Sequence, residues 1–276
     1  MASVTSLPPA GNSLSSRNLR RIILAQSKRA NVGHVGSSLS IADLIAVLYG
    51  DVLNIPSPED PERDRFVLSK GHAALALYAA FHLKGWLAVG QIEMFCASNS
   101  ILGVHPEHCL LGVDFSTGSL GMGLGYAAGA ALAARMQGSS RRAFALLSDA
   151  ECNEGSVWEA AMVGAHHRLA NLTAVIDCNG QQALGYTKDV LNAERLAERW
   201  EAFDWDVHTV DGHDVAALRD TFANLDYCSG RPHLILAKTV FGRGVSFMEG
   251  KIKWHYWPMD EMEYAQAMHE VEGGRP

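Results

Sequence analysis

Two apolar runs deliver oxygen ligands to their ends. Residues 143–148, AFALLS, are followed by Asp149, and residues 172–177, LTAVID, end on Asp177 with Asn179 two positions further on. A carboxylate and an amide oxygen brought to neighbouring points suit a hard cation such as Mg²⁺ or Ca²⁺, which keeps its other positions for water or phosphate. Each group also has an ordinary reading. Asp149 can cap the helix that follows it, and Asn179-Gly180 can be a plain turn. A second feature is the glycine-rich run 116–129, STGSLGMGLGYAAG. Its bare N–H groups at a helix start can face an anion, or its small residues can simply let a helix pack closely. The third feature is histidine. Of 12 in the chain, His34, His72, His105 and His255 sit beside Gly, Pro or Trp in loop-like settings, where imidazoles titrating near neutrality serve proton transfer.

Something must hold these residues in place. Continuous apolar runs at 143–148 and 172–177 predict strands of parallel-sheet type, and 65–69, 206–210 and 233–239 read as further strands. Helical spacing recurs at 15–30, 41–49, 75–83, 121–136, 156–167 and 215–224. The alternation predicts an α/β fold, a doubly wound, mostly parallel sheet with helices on both faces. In such sheets ligands bind outside the carboxyl ends of the strands, which is where Asp149 and Asn179 fall. The density of Gly and Ala in 121–136 predicts a closely packed, buried helix. Residues 1–14 are small, polar and Pro-containing and read as a flexible tail, with a single domain over 15–276.

The 276 residues are 48% hydrophobic with a formal net charge of −7. That balance, with no dense run of Lys or Arg, argues against nucleic acid and membrane surfaces as partners. No apolar stretch reaches the ~18 residues of a membrane span, and the start lacks a signal-peptide pattern, so a cytoplasmic location is expected. Five scattered cysteines without a C-x-x-C pair predict neither a disulfide framework nor a cysteine zinc site.

Several motifs together resemble the N-terminal part of transketolase: ANVGHVGSSLSIADLIAVLY, LSKGHAALALY, STGSLGMGLGYAAGAALA, EGSVWEAAMVGAHHRLANLTAVID, VDGHD and AKTVFGRGVSFME. They occur in the family's order from residue 15 to about 255. The resemblance implies a thiamine diphosphate-binding fold, here the diphosphate-binding domain, and a split enzyme. The domain for the cofactor's aminopyrimidine would lie on a C-terminal partner subunit, in an α2β2 heterotetramer acting on small sugars. It implies that Asp149, Asn179 and the backbone carbonyl of Gln181 hold Mg²⁺ (or Ca²⁺ or Mn²⁺) bridging to the diphosphate. It implies that His72 contacts the diphosphate, that Gly118, Ser119 and Leu120 line the cofactor, and that His34, His105 and His255 contact the sugar and move its protons. Glu154 matches an acid of the cofactor region at the interface between paired domains.

The chain departs from the family pattern at three places. Gly-Asp-Gly is replaced by Ser148-Asp149-Ala150; the Ala150 N–H can still serve the diphosphate if φ there is negative, whereas a positive φ would strain it. The aliphatic residues and Asp that usually follow the metal Asn are replaced by Gly180 to Gly185, GQQALG, with Ala183 filling less space beside the cofactor ring. Val104 stands before His105-Pro106 where the family has Gly. The alternatives are a deoxyxylulose phosphate synthase or ketoacid decarboxylase component, and a non-catalytic homologue that only stabilises its partner.

Overall fold

Alternation along the strands decides the architecture. The computed structural model describes residues 7–9, 12–192 and 194–273. Five strands, β1 (Arg65–Leu68), β2 (Ala143–Ser148), β3 (Leu172–Cys178), β6 (Asp206–Asp211) and β7 (His233–Lys238), form one sheet in the order β1-β2-β3-β7-β6, every pair parallel. Phe144 and Leu146 of β2, Val175 of β3 and Ile235 of β7 enter a core on one face. Ala145, Leu147, Ala174, Ile176, Leu234 and Leu236 enter a second core on the other. Side chains two apart share a face, so a strand covered on both sides must be apolar throughout.

Helices Ser16–Ala30, Ala42–Val47, Ala74–Leu83, Val215–Ala223 and Glu261–Val271 cover the first face. Gly123–Met136, Gly155–His166 and Leu196–Ala202 cover the second. The doubly wound parallel sheet expected from the sequence is therefore present. The Gly/Ala-rich helix is buried on one side only: Ala127, Ala128 and Ala131 pack on the sheet, whereas Met122, Gly125, Gly129, Ala133 and Met136 face outward. A short antiparallel hairpin, β4 (Gln181–Gln182) with β5 (Gly185–Tyr186), stands where the sequence suggested only a turn.

Part of the expected loose tail is docked. Leu7 packs on the core, Pro8 is buried, and the Pro8 carbonyl lies 2.9 Å from Nε2 of the buried His82; without it that nitrogen would be a desolvated orphan. Residues 1–6, 10 and 11 of that expectation lie outside the described residues. Among the described residues no helix is long and apolar enough to cross a membrane.

Candidate functional site

The register of the sheet builds the site. Ser148 of β2 lies opposite Asp177 of β3, and the Asp149 N–H donates to the Asp177 carbonyl at 3.2 Å. A cavity of about 220 Å³ opens beyond these strand ends. Its lining gathers His34, His72, His105, Gly118, Leu120, Ala150, Asn179, Gln181 and His255, residues up to 221 positions apart in the chain (255 − 34).

The floor begins at the turn after β2. Asp149 has φ −60° and leads into a 3₁₀ turn, Ala150–Asn153. Ala150 is not among the residues with positive φ, so the missing glycine brings no strain. Asp149 is 4% exposed; Oδ1 accepts the Ala150 N–H at 2.8 Å and Oδ2 the Gly180 N–H at 2.9 Å. Gly180 can aim its N–H there because it adopts φ +73°, a left-handed conformation that glycine takes without steric cost. Burial, and then the charge of Asp177, push the Asp149 carboxyl up to about 7. A buried carboxylate held near neutrality by desolvation gains most from a cation. Asn179 closes a small turn, its Oδ1 accepting the Gln181 N–H at 2.9 Å while Nδ2 donates to Asp177 at 2.8 Å.

Two groups beneath the floor were not anticipated in these roles. Asp177 is fully buried and saturated: Oδ2 accepts Lys70 Nζ at 2.5 Å, Ser40 Oγ at 2.7 Å and the Asn179 amide, and Oδ1 accepts Thr239 Oγ1. Lys70, itself fully buried, also donates to the Ser37 carbonyl at 3.2 Å. Its signal in the sequence was a lysine inside the otherwise apolar and small VLSKGHA. Glu151 is the second. Oε1 accepts the Gly121 N–H at 2.7 Å and Ser69 Oγ at 2.5 Å, and Oε2 accepts the Ser148 N–H at 3.2 Å. It thereby ties the glycine-rich turn to the ends of β1 and β2. Gly121 has φ +88°, and a Cβ there would meet Ser156 Oγ at 2.4 Å.

The wall is imidazole. His34, His72 and His255 have ring centroids 5.2–5.5 Å apart. A Cβ on Gly33 would fall 2.3 Å from the Tyr256 carbonyl oxygen, so glycine permits the turn 252–256 to close there. The His34 N–H donates to the His255 carbonyl at 3.0 Å and pins the two segments. Phe241 stacks on His255 with an interplanar angle of 10°, occupying space that a Cβ on Gly36 would invade at 2.1 Å. Burial lowers the pKa of all three histidines, with the Lys70 charge a further cause in each. His255 falls to about 4 and His72 lies well below the usual range. They are neutral near pH 7, able to donate from one nitrogen and accept at the other. His72 Nε2 lies 3.1 Å from Ser37 Oγ, but His34 Nδ1, His255 Nδ1, Gln181 Oε1 and Gln182 Nε2 are buried without partners. Native structures leave few such atoms, and these four belong to residues that line one cavity.

Three expected residues stand outside this group. Asp149 lies beneath the cavity, between Ser148 and Ala150 of its lining, and lines a neighbouring pocket with Cys178 and Gly180. Ser119 is exposed and lines a neighbouring cleft with Gly118 and Met122, and Glu154 is exposed at the start of the helix Gly155–His166. His105 reaches the cavity despite Val104; its ring would lie 3.2 Å from a Cβ on Gly118.

Known proteins share this arrangement of chain. A family model described as the thiamine diphosphate binding domain of transketolase matches residues 13–273. One of the named subunits of the apulose-4-phosphate transketolase of Phocaeicola vulgatus is 38% identical over 259 residues, covering 93% of this chain and 92% of the relative. The 6-deoxy-6-sulfo-D-fructose transketolase subunit SqwG of a Clostridium species is 38% identical over 260 residues, covering 92% and 94%. The crystal structure of transketolase from Campylobacter jejuni superposes with a TM-score of 0.87 at 30% identity. It covers 95% of this chain, which spans only 43% of that enzyme.

Proposed function

Because the chain belongs to the transketolase family through its thiamine diphosphate-binding domain, we propose that it is one subunit of a two-chain, thiamine diphosphate-dependent transketolase. The enzyme passes a two-carbon ketol unit from a ketose to an aldehyde. A partner subunit carries the pyrimidine-binding domain, and two copies of each chain assemble as α2β2. The observation that carries this reading is the meeting, in one cavity, of Asn179, Gln181 and Ala150, with the buried Asp149 directly beneath, and of the histidines His34, His72, His105 and His255.

The residues present fit the cofactor and its metal. Asp149, Asn179 Oδ1 and the Gln181 carbonyl would form a hard-oxygen set suited to Mg²⁺, Ca²⁺ or Mn²⁺, and the Asp149 carboxyl, raised to about 7, would lose its proton to solvent as the cation binds. Ala150 and His72 would hold the diphosphate, Gly118, Ser119 and Leu120 would border the cofactor, and the exposed Glu154 would meet the partner. When bound, thiamine diphosphate supplies the electron sink for breaking and making the carbon–carbon bond. The protein groups do the rest. His34, His105 and His255 hold the sugar hydroxyls and exchange protons with them, which requires an imidazole that is neutral at working pH. Lys70 and Asp177 keep the strand ends fixed, and Glu151 keeps the glycine turn fixed, so that the reacting groups stay in register.

The names of the relatives, subunits both, support the partner reading. So does the outward stripe Met122, Gly125, Gly129, Ala133 and Met136, an exposed helix face whose first residue lines the cleft next to the cavity. A non-catalytic role was suggested by Ala150 and by the altered loop 180–185; the negative φ at Ala150 removes the first of these motives. The test is two-carbon transfer measured across a panel of ketoses and aldehydes, with the chain alone and with its partner. Turnover dependent on thiamine diphosphate is expected only with both subunits. Robust transfer by the purified chain alone would contradict the split-enzyme reading.

A further inference from the structure

The amino ends of the strands, opposite the cavity, carry a second group of ligating side chains. Asp206 and His208 are two apart on β6, so they project from one face, and His233 opens β7 in register with Asp206. Asp206 Oδ2 lies 3.1 Å from His208 Nε2 and 3.3 Å from His233 Nδ1. A ligand atom from each of the three lies within 4.8 Å of the others. His233 is fully buried, yet neither ring nitrogen completes a hydrogen bond. Nδ1 has only the long contact to Asp206 and Nε2 has none, so this desolvated imidazole is under-partnered.

Around a tetrahedral ion with bonds of about 2.0–2.2 Å, adjacent ligand atoms stand roughly 3.3–3.5 Å apart. The two separations from Asp206 Oδ2 are close to that edge. We infer that Asp206, His208 and His233 form a zinc-type transition-metal site, with two imidazole nitrogens, one carboxylate oxygen and a fourth position open to water. Asp206 and His208 are only partly buried, which leaves the ion a route in. The imidazole-rich set suits Zn²⁺ over Mg²⁺, the reverse of the oxygen set at the other end of the sheet. A bound ion would staple the edge strand β6 to β7.

Calorimetric titration of the chelator-stripped full chain with Zn²⁺ tests it, comparing wild type with His208→Ala. His208 is partly exposed, so the change opens no core. Zinc can also meet the histidines of the cavity, so His255→Ala is titrated in parallel. His208→Ala should lose one equivalent of zinc, or bind it at least about tenfold more weakly, while His255→Ala keeps that equivalent. Zinc should raise the melting temperature of wild type more than that of His208→Ala. Equal stoichiometry and affinity in wild type and His208→Ala, zero binding in both included, would overturn the site.

Discussion

The floor and the wall of the cavity are both buried and both polar, but their hydrogen bonding differs. On the floor, both oxygens of Asp177 and both of Glu151 are supplied with donors from several elements. On the wall, His34 and His255, with the amides of Gln181 and Gln182, keep atoms that nothing among the described residues satisfies. A saturated buried network rigidifies the backbone it ties together; an unsaturated one leaves interactions for a bound molecule to complete. The difference assigns positioning to the floor and contact to the wall.

The largest test of that division is Lys70→Met. It would leave the Asp177 carboxylate buried without its counter-charge, and stability should fall by about 3–5 kcal/mol in chemical denaturation. A loss below about 1 kcal/mol would mean that the floor is not a buried ion pair. The wall should respond in rate instead. His34→Ala and His255→Ala should fold, keep the cofactor and turn over roughly 10²–10⁴-fold more slowly in the assembled pair. Normal turnover would reduce that histidine to packing.

Acid should also find the wall first. The folded-state pKa of His255 is about 4 against an ordinary 6.5, and His34 and His72 are shifted the same way. Between those values the unfolded chain binds more protons than the native one, so stability present above pH 6.5 is lost as pH falls toward 4. Removing His255 should flatten this slope by about 1–2 kcal/mol, allowing for partial solvent screening. Melting temperatures across pH 4–7 would show it; an unchanged slope would place the acid sensitivity elsewhere. The smallest effect belongs to Ala150→Gly. Because φ is already negative, glycine only adds unfolded-state entropy and should lower stability by about 0.4–1 kcal/mol with cofactor affinity unchanged. A tighter-binding glycine variant would reveal strain at the turn.

The floor was half legible in the sequence and the wall almost wholly so. Strands such as AFALLS and LTAVID announce themselves because burial on both faces demands unbroken apolar runs, and their ends located Asp149 and Asn179. Loop histidines beside glycine stood out by composition. What stayed hidden depends on tertiary register. The setting of Lys70 in VLSKGHA marks it as unusual but does not name its partner until Asp177, 107 positions away, is folded against it, and Glu151 reads as an ordinary acid after a turn until Gly121 and Ser69 close on it. The helix Val35–Ser40 escaped for a related reason: all six residues are buried, so it shows no amphipathic period. The exposure of Ser119 and Glu154 was likewise invisible, since a motif gives order along the chain but not the side of the turn.

The central claim is that the strand-end oxygen set binds the cofactor's diphosphate through a divalent ion. Titrating the assembled pair with thiamine diphosphate in Mg²⁺, wild type against Asp149→Ala, measures this directly. Affinity should fall by at least about two orders of magnitude, beyond the range seen when only an outer partner of a metal ligand is lost. A folded Asp149→Ala variant with wild-type affinity, and only the roughly 0.5–2 kcal/mol stability loss of a missing cap, would contradict it.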